Sequence, residues 1–170
     1  MSLKLIGALL VIIGCGGVGF SYAAAHRREE QCLRHLTAAL DYIECELQYR
    51  LTPLPQLCRL AGNEAHGCVK SVLLNLAVEL ENQVAPDVMS CMNAVYESVK
   101  DIPKRTKNAL DVMAQSLGRF DLEGQLKGLK MVRNVCRRDL EELSANRDVR
   151  LRSYQTLGLC AGAALAILLV

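Results

Sequence analysis

Residues 27–53 read RREEQCLRHLTAALDYIECELQYRLTP. Leu33, Leu36, Leu40, Ile43 and Leu47 recur there in steps of three and four, which places them on one face of an α-helix. Polar and charged residues fill the other positions, so the stretch is amphipathic and has to bury one side against a partner. No glycine or proline separates it from Ala25, and the helix is expected to continue back into the apolar residues before it. Thr52-Pro53 ends it. Proline keeps its predecessor out of the helical region, and it is favoured at the first helical position with Thr52 as N-cap.

The same periodicity recurs down the chain. A short helix from Pro53 to Ala61 carries Leu54, Leu57, Cys58 and Leu60, with Gly62-Asn63 as its stop. The next segment shows Val69, Val72, Leu73, Leu76 and Leu80 and stops near Asn82. Ala85-Pro86 opens another, with Val88, Met92, Val95 and Val99, and Ile102-Pro103 ends it. Thr106 is the expected cap of a helix with Leu110, Met113, Ala114 and Leu117, which Gly118 stops. Asp121 caps the last, with Leu122, Leu126, Leu129, Cys136, Leu140 and Leu143, and nothing stronger than Gly124 and Gly128 interrupts it afterwards. No segment alternates like a half-buried strand. The expected fold is all-α: an antiparallel bundle of about six helices, the first and last continuing into the membrane as two spans.

The two ends carry that membrane expectation. Leu5 to Ala25 is a run of 21 residues without a formal charge, and Ser153 to Val170 is a second of 18. A spanning helix needs ~20 apolar residues. His26, Arg27 and Arg28 follow the first run, and Arg147, Arg150 and Arg152 precede the second. The positive-inside rule puts the middle in the cytoplasm. The expected division is a transmembrane helix at 3–25, a cytosolic bundle at 26–152 and a transmembrane helix at 153–170. Ala23-Ala24-Ala25 also resembles a signal-peptidase site, and Ile12-Ile13-Gly14-Cys15 a lipobox; either would send the middle outward. Gly158 and Gly162 stand in a G-x-x-x-G spacing, a candidate packing face for a membrane helix.

Composition narrows the chemistry. Lys and Arg number 20 against 18 Asp and Glu, Trp is absent and Phe occurs twice, so nucleic acid is not an expected partner. Charge nevertheless separates: residues 26–100 carry a net −3 and residues 101–153 a net +4. The basic part is either the wet face of the last helix or a surface for acidic lipid or an acidic partner. Glu29, Glu30, Asp41, Glu44 and Glu46 read as solvated helix charges, because no nucleophile accompanies them. Eight cysteines show no C-x-x-C pair; most of the six outside the apolar runs have apolar neighbours at helical spacing and read as small buried hydrophobes in a reducing compartment, the alternative being a disulfide frame of an extracytoplasmic domain. His66-x-Cys68 is at most half a zinc site. No catalytic residue, metal or cofactor is expected.

Four stretches carry a family resemblance. They are Leu3-Lys4-Leu5-Ile6-Gly7-Ala8; the pattern Glu44-x-Glu46-x-x-Tyr49-x-x-Thr52-Pro53-Leu54; the turn Leu117-Gly118-Arg119-Phe120-Asp121; and Leu157-Gly158 with its apolar tail. In this order, and with two apolar ends, the chain resembles the stage III sporulation protein AB family of endospore-forming bacteria. The resemblance implies a helical domain similar to the inner-membrane platform protein of type II secretion and type IV pilus machines. It also implies a non-catalytic scaffold of the channel linking mother cell and forespore. That scaffold would lie in the cell membrane on the mother-cell side, beside other membrane proteins of the channel, a secretion-type ATPase and the lipid bilayer. Glu46, Tyr49, Thr52, Pro53 and Leu54 form a candidate corner. Either it meets a partner, or Pro53 simply breaks the helix and Tyr49 packs beneath it. A membrane-anchored redox- or metal-responsive cysteine protein and a generic helical adaptor are the alternative readings.

Overall fold

A computed structural model describes the backbone of residues 2–82, 87–118 and 121–169, and the side chains of 24–82, 87–118 and 121–145. Six helices follow one another: α1 (Ser2–Tyr49), α2 (Leu54–Glu64), α3 (Gly67–Glu81), α4 (Val88–Ser98), α5 (Lys104–Ser116) and α6 (Leu122–Leu169). Among the described residues there is no strand, so the all-α expectation stands. Among those residues, too, no helix is long and apolar enough to cross a membrane. The two charge-free runs, and with them Gly158 and Gly162, lie outside the described side chains. The two-span expectation therefore rests on the sequence alone.

The chain divides into two compact units, one of Met1–Arg28 with Glu141–Val170 and one of Glu29–Leu140. In the first, the His26 ring nitrogen donates to the Leu143 carbonyl at 3.4 Å and ties α1 to α6. The second is the bundle. Leu33, Leu36, Leu40, Ile43 and Leu47 are all buried, as their spacing requires. Leu57, Cys58, Leu73, Leu76, Met92, Leu110, Met113 and Leu129, from the other five helices, are buried as well. Each fully buried side chain of this size contributes ~1.5–3 kcal/mol.

Neighbours in sequence are neighbours in space: α2 packs on α3, α3 on α4 and α4 on α5. The bundle is closed by charges between distant helices. Arg133 on α6 reaches Asp41 at 3.0 Å and Glu44 at 3.1 Å on α1. Arg105 on α5 reaches Asp139 on α6 at 3.2 Å, while its backbone N–H donates to Glu29 at 3.3 Å. Tyr96 on α4 donates to Asp111 on α5 at 2.7 Å, with the Lys107 ammonium 4.4 Å above its ring. Several acidic residues expected to be solvated thus tie helices together, and Glu30 and Glu46 are buried.

The helix ends depart from the expected ones in instructive ways. Pro53, not Thr52, is the N-cap of α2, because Pro55 takes the proline-tolerant position in the first turn. Pro103, not Thr106, caps α5, and Thr106 lies inside the helix, fully buried, with its hydroxyl unpartnered. Gly62-Asn63 does not stop α2. A Cβ on Gly62 would meet Leu74 at 2.9 Å and Leu73 at 3.2 Å, so this glycine lets α3 approach closely. Asp87 caps α4 by accepting from Ser90 N–H at 2.9 Å, whereas Ala85-Pro86 lies outside the described residues. Asp121 caps α6 as expected, accepting from Gly124 N–H at 3.1 Å. Cys32, Cys58, Cys91 and Cys136 are buried, Cys68 is partly exposed and Cys45 exposed, and no disulfide joins any of these six. Burial pushes the Cys58 thiol up to about 12. It also drives the Cys136 thiol up to about 11, with Asp139 adding to the effect.

Candidate functional site

The corner between α1 and α2 is built around Glu46. This carboxylate sits one turn before the end of α1 with only 9% of the residue exposed. A buried carboxylate requires partners. The Thr52 hydroxyl donates to its Oε2 at 3.2 Å, and the Arg50 guanidinium lies 3.6 Å from its Oε1. Tyr42 stands one turn earlier on the same helix. Its phenol is raised above the ordinary value, by burial first and by the negative charge of Glu46 next. Thr52 and Arg50 thus converge on one acid.

The backbone turns through an unusual residue. Arg50 N–H still bonds the Glu46 carbonyl at 2.9 Å, but Leu51 follows with φ +52°. A bulky L-residue in the left-handed region is strained by ~1–3 kcal/mol. Thr52 is then held extended by Pro53, whose own φ and ψ are −55° and 140°. The Pro53 carbonyl accepts from Leu57 N–H at 2.9 Å and starts α2.

The side chains at the tip point outward. Tyr49 is 76% exposed and Leu51 68% exposed. The alternative in which Tyr49 packs under Pro53 is thereby overturned: the aromatic ring stands in solvent. Leu54 turns the other way, 3.7 Å from the position of a Cβ on Gly118, which has φ +75° at the end of α5. The motif around residues 44–54 and the turn at 117–121 are therefore brought together at one end of the bundle. Arg119 and Phe120 lie outside the described residues. Val88, at the start of α4, would lie 3.1 Å from the same Cβ position. The left-handed state of Leu51 and the convergence of Thr52 and Arg50 on Glu46 have no sequence signal beyond the spacing of Glu46 to Thr52.

His35 and His66, isolated in sequence, lie with ring centroids 5.5 Å apart and planes tilted by 30°. Among the described residues no cluster of three metal-ligating side chains exists.

Comparison with known proteins fixes the family. Residues 4–170 match the profile described as stage III sporulation protein AB. The chain belongs to that family. A curated relative, stage III sporulation protein AB of Bacillus subtilis (strain 168), is 25% identical over 174 residues, covering 99% of each chain. A solved structure of stage III sporulation protein AB superposes with a TM-score of 0.63 at 18% identity, covering 72% of this chain and 98% of that one. That likeness shows a shared fold. Membership of the stage III sporulation protein AB family places the chain's role in sporulation.

Proposed function

We propose that this family member is a non-catalytic scaffold, held in the mother-cell membrane by its two apolar ends with the helical bundle in the cytosol. The single observation that supports it is where the charge-free runs fall. They form the outer parts of α1 and α6, the same two helices whose remaining lengths are tied together by Arg133, Asp41 and Glu44 in the bundle. Cations at residues 26–28 and 147–152 stand on the inner side of each run. Gly158 and Gly162 would pack one span against the other or against a neighbouring membrane protein.

The corner serves as a partner contact in this reading. A rigid turn that buries a carboxylate in order to hold an aromatic and a leucine in solvent suits a surface that is covered only in a complex. The partners are a secretion-type ATPase and other membrane proteins of the channel between mother cell and forespore. The test is co-purification of the full chain from sporulating cells. Recovery of a secretion-type ATPase with the wild type, and its loss with Tyr49→Ala, is the expected result. Equal recovery with both would remove the corner from the reading, and failure to recover any membrane partner would favour a generic adaptor.

A further inference from the structure

Two outward strips of the bundle carry opposite charge. On α6, Lys127, Met131 and Asn134 follow one another at helical spacing, with Lys130 beside them. They line an open groove of about 600 Å³ floored by Ser116, Gly124 and Gly128. Met131 is 63% exposed in it. Lys127 has no acidic partner among the described residues, and Lys130 approaches Glu44 only to 3.9 Å. On α3, Asn75, Val78 and Asn82 occupy one stripe, and Val78 is 45% exposed. Glu79 and Glu81 flank it. Arg59 engages Glu81, so Glu79 is the carboxylate left without a partner among the described residues.

The two strips belong to helices with different neighbours. α3 packs on α2 and α4, whereas α6 is tied to α1 and α5. Each strip is an exposed apolar residue flanked by an unpaired charge, and the charges are opposite. The same division runs through the whole middle of the chain, net −3 over residues 26–100 and net +4 over residues 101–153. A patch that complements a different patch on an identical molecule makes a head-to-tail contact, which propagates into a ring or an open array.

We propose that the groove on α6 of one copy receives the α3 strip of a second copy, Met131 against Val78 and Lys127 with Lys130 against Glu79. The charge pattern of this chain supplies a helix ridge that matches the groove.

The experiment uses the full chain in a neutral detergent, with mass distribution followed by sedimentation velocity. Both Val78 and Met131 are exposed, so Val78→Asp and Met131→Asp should fold, which thermal melts followed by circular dichroism verify. The wild type should form species beyond the dimer, and each variant alone should sediment as a monomer, its self-affinity weakened at least about tenfold. Mixed in equal amounts, the two variants should form a one-to-one pair and nothing larger, because each supplies one intact strip. Four results overturn the proposal. One is a monomeric wild type at high concentration. Another is a Val78→Asp variant that associates as the wild type does, which would point to a groove-to-groove contact or an unrelated surface. The third is a mixture of the two variants that stays monomeric. Wild-type association that appears only in micelles doped with anionic lipid would assign the groove to lipid and equally sink it.

Discussion

Thr52 donates its hydroxyl to Glu46 at 3.2 Å, across the turn where α1 stops and α2 begins. The bond spans six residues and joins the last turn of one helix to the residue that proline holds extended. It explains why a threonine stands before Pro53 although it caps nothing. Thr52→Val should lower stability by about 1 kcal/mol, and Glu46→Ala by about 1–2 kcal/mol, because Arg50 loses its partner as well. At this chain length each kcal/mol lowers Tm by ~2–4 °C. The double variant should lose less than the sum, since both changes remove one shared bond. Thermal melts of the four chains measure it.

Leu51 gives a prediction in which stability and function move oppositely. Its φ of +52° is unfavourable for leucine, and nothing buries the side chain in return. Leu51→Gly should release ~1–2 kcal/mol of left-handed strain against ~0.5–1 kcal/mol of added chain entropy, leaving a net gain in Tm. The same variant should recover less partner from sporulating cells. A gain in Tm with undiminished recovery would show the exposed leucine to be idle.

Close approach of helices sets a third expectation. A Cβ on Gly128 would lie 2.4 Å from the Ser116 Cβ, too near for either helix to accommodate without moving. Gly128→Ala should lose ~1–3 kcal/mol, and adding Ser116→Gly should recover part of it. Gly62→Ala should be milder, because the atom it meets at 2.9 Å is the flexible tip of Leu74. Urea titrations of the three variants distinguish the cases.

The buried thiols predict an alkaline limit. The folded chain holds the Cys58 proton up to about 12, whereas an unfolded thiol releases it near 9.0. Above that lower value the unfolded state binds fewer protons than the folded one, so stability falls as pH rises. The slope approaches ~1.4 kcal/mol per pH unit for one such group. Cys136 adds to it up to about 11, and Tyr96, raised by burial and by its bond to Asp111, adds above the ordinary phenol value. Urea midpoints between pH 8 and 11 should decline progressively, and a Cys58→Ala variant should decline less steeply.

The apolar spacing carried the helices: the stripe from Leu33 to Leu47 named a buried face residue by residue, and Asp121 was legible as a cap because an acid before an apolar run has one obvious local use. The other caps were less readable. Thr52 and Thr106 look alike in sequence, yet each sits near a second proline-based option that took the end of the helix, leaving one hydroxyl for Glu46 and the other buried without a partner. Gly62 could not be told from a helix stop, and Gly128 read only as a tolerable interruption, since their purpose lies in residues far along the chain. At the site, the residues of the corner were legible and their orientation was not. Whether Tyr49 packs or projects depends on the left-handed turn at Leu51, which no leucine announces.

The central claim is the side of the membrane on which the bundle stands. Cys45 is exposed on α1 and reports it directly, where the buried Cys32 could not. In sporulating cells, a variant with Cys68 replaced by serine should stay in the carbonate-washed membrane pellet. Its Cys45 should react with an impermeant thiol reagent only after the membrane is opened. Labelling of Cys45 in intact cells, or release of the protein into the soluble fraction, would contradict the account.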